Sequence, residues 1–393
     1  MYRVLIQKGT ASDTFAAIRD EWQQLFAVAE ASPFLSWEWM STWFDTFGAN
    51  KLPCLLKAYR GETLIGILPM YREKRRLLGI SFNRLSMMGN KTGGADYLDL
   101  IARPEDRSGA MTAIFEYLCA DNKIDVVCLE NLAEVSESVR LLRKPETRSG
   151  HRFDRVSESV AAVCPQIDLS AGWESVLSHS KRRDNFKRRL KKIEKLPGFE
   201  FRSVTSPEQT GGAFERFLDL HQKRWENDGG SELTGHPRLA AFQRDVVTKL
   251  AAKGLIRFDE LWLGGECRGS VYGLDNGRAF YYYNSGYDLD FSNLSVGLVL
   301  LGLSIQSAVR RGNVLYDFLR GDETYKSEWA NRRAVQINFA LCRSSITAFA
   351  HNTYSRAMTG IRDSAKYALP SGVAATIGNL RRVWKRNYQL SGR

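Results

Sequence analysis

Apolar and polar positions change period along this chain in an order that occurs twice. Residues 3–7 alternate as a strand does, and 15–28 and 36–47 recur at helical spacing. Residues 54–59 and 63–71 then read as strands joined by a turn at Arg60, Gly61 and Glu62. A strand over 97–102, a helix over 105–119 and a strand over 125–130 follow, and the polar stretch 141–155 reads as a loop and the best boundary. Beyond it come a basic helical stretch at 181–195, a strand at 199–204 and helices over 207–225 and 236–252. Three strands (256–263, 267–275, 279–286) are linked by Gly264, Gly265 and Glu266 and then by Asn276 and Gly277, both hairpin turns by composition. An apolar helix over 294–309, a strand from 314 to 318 and a late strand near 334–341 close the second half. Helices, an antiparallel meander, one central helix and a further strand make up each half, more faintly in the first.

The stretch 317–329, DFLRGDETYKSEW, carries the densest chemistry. It follows a strand, and the end of a strand holds polar loop groups rigidly. Asp317, Asp322, Glu323, Arg320, Lys326 and Tyr325 fall within thirteen residues. That density fits a site or a solvated turn. No GxSxG elbow competes with it.

A chain of 393 residues, 44% hydrophobic and 25% charged, is long enough for two domains with their own cores. Nothing at its start resembles a signal peptide, and 294–309 is too short to span a bilayer. The six cysteines show no CxxC or paired His spacing, so buried thiols of a reducing compartment are expected and a metal site is not. The net charge of +12 sits in two places. Residues 181–195 hold an excess of seven cations and residues 371–393 an excess of five, leaving the rest formally neutral.

Several words share an order and spacing with a known family: LHQKRW (220–225), YYYNSGYD (281–288), SVGLVLL (295–301) and DFLRGDETYKSEW. FLSWEWMSTWFDTFG (34–48) and ADYLDL (95–100) match it more loosely. Together they resemble the double-domain, CelD-like GNAT acyltransferases associated with bacterial cellulose and exopolysaccharide biosynthesis, relatives of the Fem-type aminoacyltransferases. The resemblance implies an α/β protein with a mixed sheet in two tandem GNAT-like domains. These would be 1–155 (degenerate) and 156–345 (catalytic), followed by a basic helical tail at 346–393.

The same resemblance places an acyl-CoA donor, acetyl-CoA by family habit, at Leu294, Ser295, Val296, Gly297 and Leu298. A helix start with small residues suits the diphosphate, although Val296 stands where the family usually has proline. A plain N-cap at Ser295 is the alternative. His221 is a candidate for the acceptor pocket or general base, or else a helix-surface histidine. Asp317 could orient or deprotonate the acceptor, and Lys326 could face the oxyanion, the role attributed to a lysine in Fem-type relatives. Against these stand an Asp317–Arg320 or Lys326–Glu323 ion pair that only shapes the loop. Tyr281 and Tyr283 share one strand face and line the acceptor cleft or pack the sheet. Asp96, Tyr97, Arg224, Trp225, Arg320, Asp322 and Tyr325 complete the acceptor-side set.

The basic stretch 181–195 is a solvated helix face, a polyanion contact (nucleotide-linked sugar, anionic polymer or tRNA) or a CoA-phosphate contact. The tail, with Val373, Ile377, Leu380, Trp384 and Tyr388 at helical spacing, could lie on an anionic membrane or dock on the domain. The expectation is a cytoplasmic acyltransferase, peripheral at the inner membrane if the tail binds lipid. It would acylate an amine or hydroxyl of a sugar or polysaccharide precursor. A Fem-like, aminoacyl-tRNA-dependent transferase and a non-catalytic module of a polymer-synthesis complex are the alternatives. A DNA-binding protein has no supporting motif.

Overall fold

The computed structural model describes residues 2–7, 11–77, 79–90, 93–144, 153, 155–225 and 231–353. The basic tail at 371–393 and most of the boundary loop lie outside them.

The first half runs β1 (Tyr2–Gln7), helices α1 (Ala11–Ala16), α2 (Arg19–Val28) and α3 (Trp37–Phe47), and the meander β2 (Leu52–Arg60), β3 (Thr63–Leu77) and β4 (Ile80–Met87). After a two-residue strand β5 (Ile101–Ala102) come α4 (Arg107–Ala120), β6 (Val126–Ala133), α5 (Glu137–Arg143) and the long β7 (Arg155–Asp168). Helices α6 (Gly172–His179) and α7 (Arg183–Ile193) lead into the second half. It repeats the order: β8 (Glu200–Val204), helices α8 (Pro207–Trp225), α9 (Glu232–Gly235) and α10 (Pro237–Ala251), and the meander β9 (Ile256–Leu263), β10 (Glu266–Asp275) and β11 (Ala279–Tyr287). Then come α11 (Val296–Arg310), β12 (Leu315–Asp317), α12 (Thr324–Ser327) and β13 (Arg332–Cys342).

Among the described residues all thirteen strands belong to one mixed sheet, ordered β1-β2-β3-β4-β6-β13-β7-β12-β11-β10-β9-β8, with β5 beside β3. The long closing strands cross over. β7 lies beyond the expected boundary at 155 but holds the place in the first half that β13 holds in the second. It pairs with β12 of the second half, β13 pairs with β6 of the first, and the two pair with each other from Arg332↔Gln166 to Cys342↔Arg155. Each half therefore completes its sheet with a strand of the other, and the centre of the sheet belongs to both.

In each half the meander's last strand pairs in parallel with the strand after the central helix: β4 with β6, and β11 with β12. The second pairing is short, ending at Tyr281↔Asp317. Beyond Asp317 the chain stays with β7, Phe318 N–H donating to Pro165 O and Gly321 N–H to Val163 O, while β11 continues to Tyr287. A wedge between β11 and the 318–326 loop thus opens at Asp317. Helix α11 aims the chain into this strand through a C-terminal motif in which Gly312 (φ 84°) donates to Val309 O and Asn313 N–H reaches Ala308 O.

One core joins α1 to α5 with α8 and α10, and a second lies under α6, α7 and α11. Tyr282 packs with Tyr316 and Phe318 in the second, while Tyr281 and Tyr283 turn to Tyr97, Phe34 and Trp39.

Four sequence expectations need correction. Residues 97–102 are not a strand throughout: only Ile101–Ala102 pairs, and Tyr97 is left-handed at φ 52°. Strand β3 runs to Leu77 and is followed by β4; the charged run Arg72–Arg76 inside β3 hides its second half from the periodicity. Strand β7 also escaped notice, since its first five residues are mostly exposed and polar and Pro165 interrupts it. Ser295 does not cap α11 with its side chain; it is left-handed (φ 58°) between a 3-10 turn, Leu289–Leu294, and the helix.

Candidate functional site

Asp317 is the last paired residue of β12 and is almost completely buried. Its Oδ1 accepts the Leu319 N–H at 2.7 Å, which turns the chain through left-handed Leu319. Its Oδ2 accepts the Tyr97 hydroxyl at 2.7 Å and Gln166 Nε2 at 2.6 Å. Gln166 is its direct antiparallel partner on β7, so the cross-over of strands places that amide. Burial pushes the Asp317 carboxyl up to about 6, against the lowering effect of these three donors. The Tyr97 phenol is held far above its ordinary value by burial and by the adjacent carboxylate.

Next to it lies an ion pair across the halves. Arg320 Nε donates to Asp96 Oδ1 at 2.7 Å, and its Nη2 reaches the Ala95 carbonyl at 2.6 Å. Gln336 of β13 donates to the same Asp96 oxygen. Arg320 thus pairs with Asp96 and not with Asp317, correcting that alternative. The other expected pair forms: Lys326 Nζ lies 2.9 Å from Glu323 and donates to the Arg320 carbonyl at 3.0 Å. Asp96, Tyr97, Asp317, Arg320 and Lys326 are therefore gathered at one junction. Gln166 and Gln336 complete it and were missed, although Gln166 is a lone amide in an otherwise apolar stretch of strand.

Tyr97, Gln166, Tyr281 and Asp317 line an open cleft of about 650 Å³. Its far wall comes from the first half: Ser32 and Leu35, the start of α4 with Arg107 and Ser108, and Ser136 and Arg140 of α5. A buried carboxyl poised near neutrality at the edge of a cleft is suited to accept a proton.

Residues 180–327 match the family described as an acetyltransferase (GNAT) domain. This part of the chain has a GNAT-type fold. Solved structures with the same fold include FemX, at TM-score 0.57 and 10% identity over 82% of this chain and 96% of that one. Others are the C-terminal domain of a candidate lysylphosphatidylglycerol synthetase from Agrobacterium fabrum (0.52, 9%, 88% and 96%) and a conserved protein of unknown function from Bacteroides thetaiotaomicron VPI-5482 (0.51, 11%, 86% and 100%). At such identities they establish the fold. No curated protein matches the chain significantly in sequence.

Within the matched residues 180–327 the second cluster lies further along β11. His221 is buried on α8, with Nδ1 2.9 Å from the Ser285 carbonyl and Nε2 2.7 Å from Ser231 Oγ. Both nitrogens are engaged, and burial lowers its pKa. This places it as a strut between α8, β11 and α9, with no contact to the Asp317 junction. Arg224 donates to Ser285 and lies over the rings of Trp225 and Tyr287. Tyr325 reaches Tyr282 across the wedge, hydroxyls 3.5 Å apart, while Asp322 is exposed and outside both clusters. Tyr283 donates to the Gly93 carbonyl and accepts from Gln243, which uses it to bind the halves together.

The two central helices begin differently. At α4 the buried Asp106 side chain is paired with Arg60 at 2.8 Å, and Gly109 is covered by Tyr2, whose hydroxyl would lie 2.5 Å from an added Cβ. The first-half wedge is filled by Arg84, Glu130 and Asn90. At α11 Leu294, Ser295, Gly297 and Leu298 are half-buried while Val296 is buried, and no carboxylate stands within the first turn. Gly297 lies against Tyr287, 2.9 Å from where a Cβ would be. An anion fits the start of α11 and not that of α4. Among the described residues no cluster of metal-ligating side chains occurs and no helix is long and apolar enough to cross a membrane.

Proposed function

We propose that the protein transfers an acyl group, acetyl in the simplest case, from acyl-CoA to an amine or hydroxyl of a sugar or polysaccharide precursor. The observation that carries this is Asp317, buried, raised to about 6 and sited where β11 and β12 part beside an open cleft. The donor's diphosphate lies at the start of α11 and its thioester enters the wedge. The acceptor occupies the cleft, with Tyr97 and Tyr281 offering faces for a sugar ring.

The acceptor's nitrogen or oxygen attacks the thioester carbonyl directly and Asp317 takes its proton. At pH 7 a carboxyl of pKa about 6 is about nine-tenths ionised, so the base is ready. The tetrahedral oxyanion collapses with release of the CoA thiolate, and Lys326, fixed by Glu323 and the Arg320 carbonyl, supplies the nearest loop cation. Asp96 and Arg320 are positioning residues that lock the Asp317 loop to the first half.

The test is release of free CoA thiol from acetyl-CoA with a panel of amino sugars and neutral sugars, with wild type and Asp317→Asn compared. Acceptor-dependent release lost in the variant is expected. Release by neither protein with any acceptor, alongside transfer from charged tRNA, would replace this reading with the Fem-like one.

A further inference from the structure

Helix α7 carries much of the chain's excess charge, and one side of it is already used. Phe186 and Ile193 are buried; Phe186 stands edge-on to Trp173 and Trp329 and fills the space over Gly302 of α11. An added Cβ on Gly302 would come within 2.2 Å of the Phe186 ring, so α7 is seated directly on α11.

A second contact fixes its rotation. Arg189 Nη1 donates to the Asn293 carbonyl at 2.8 Å, two residues before Ser295. At about 100° per residue, Asn185, Arg188 and Lys192 share the flank of Arg189, whereas Arg183, Lys187 and Lys191 fall on the opposite flank. Asn185 and Lys192 therefore lie next to Arg189 on the side toward the start of α11, and Arg188 stands at the outer, exposed edge of the same flank. Arg188 bonds only to Asn185, at 3.1 Å, and neither it nor Lys192 has a carboxylate partner among the described residues. The acids near this flank leave it cationic: Asp184, one turn before Arg188, is fully exposed and leans to Arg183 at 3.9 Å, Asp288 is paired with Arg268 at 3.0 Å, and Asp290 is exposed.

We propose that this flank of α7 holds the phosphates of the CoA donor, Arg188 and Lys192 taking the adenosine 3′-phosphate. The inference rests on the reading that acyl-CoA binds at the start of α11. A phosphomonoester is a dianion, and an arginine fork beside a lysine point charge is the pairing that suits it. Arg189 acts differently, holding the Asn293 carbonyl and with it the turn that presents Ser295.

The experiment is calorimetric titration of CoA and of 3′-dephospho-CoA into wild type, Arg188→Ala/Lys192→Ala and Lys187→Ala/Lys191→Ala. All four side chains are at the surface, so both variants fold. Wild type is expected to prefer CoA by about tenfold. The Arg188/Lys192 variant loses that preference with its dephospho-CoA affinity unchanged, and the Lys187/Lys191 variant keeps it. Equal binding of the two ligands by wild type, or a preference that survives in the Arg188/Lys192 variant, overturns the proposal while leaving the donor reading intact. Loss of tRNA binding in that variant with CoA affinity unaltered would assign the flank to nucleic acid and also overturn it. Failure of wild type to bind either ligand removes the donor reading and the proposal together.

Discussion

The Tyr97 hydroxyl donates a 2.7 Å hydrogen bond to Asp317, across a sequence separation of 220 residues. It ties a loop of the first half to the last paired residue of the second. Because Tyr97 is left-handed, its ring is turned out of the strand direction and toward β12. Replacing Tyr97 by Phe removes a donor that favours ionised Asp317. The acid limb of the kcat/KM profile should move up by about one unit, since one such bond is worth roughly 1–1.5 kcal/mol. An unmoved limb in an active variant would separate Asp317 from the proton transfer.

Asp317→Asn should lower kcat by about 10²-fold or more while leaving acyl-CoA affinity within a few-fold. Its stability carries an independent sign. The carboxyl is raised from 3.8 to about 6 in the folded chain, so the folded state binds more protons than the unfolded state between those values. The native protein thus loses stability as pH rises through that window, by an amount on the order of a few kcal/mol that is fully lost above it. Asn carries no such cost. Thermal unfolding should therefore show the variant gaining on wild type as pH goes from about 4 to 7.

The Asp96–Arg320 pair joins the halves beside the base. Arg320→Ala leaves Asp96, 2% exposed in its side chain, with Gln336 as its remaining side-chain donor. Because Arg320 itself is partly exposed, the loss is about 2 kcal/mol and not the larger penalty of a fully buried pair. Denaturant unfolding measures it, and Arg320→Lys should recover only part, because a lysine has a single nitrogen in place of the fork that reaches Asp96 and Ala95 together.

Lys326→Met keeps the side-chain length and removes its cation. A fall in kcat of about 10²-fold with unchanged donor affinity is expected from a group facing the oxyanion. A kcat within about threefold of wild type would leave Lys326 as the Glu323 partner that shapes the loop.

Much of this arrangement was legible from residue order. The helix at 296–310, the meander before it and the acidic-basic run after it all follow from local periodicity and turn chemistry. The union of Asp96 and Tyr97 with Asp317 and Arg320 was not readable from spacing, because it depends on two strands exchanged between halves. Strand β7 hides that exchange: its exposed first turns are polar, Pro165 breaks its pattern, and Gln166 looks like a solvent-facing residue until its pairing with Asp317 is known. His221 is a separate case. Its residue type suggests a base or a surface histidine, and its burial with two short contacts, to Ser285 and Ser231, was not readable from spacing.

The unequal starts of α4 and α11 lead to the most direct measurement, calorimetric titration of acetyl-CoA into the whole chain. One site per chain is expected, abolished by Gly297→Leu, which drives a side chain into Tyr287 beside the start of α11, and retained in Asp317→Asn. Two sites per chain, binding undiminished in a folded Gly297→Leu variant, or no binding of any acyl-CoA by wild type would contradict a donor held at α11.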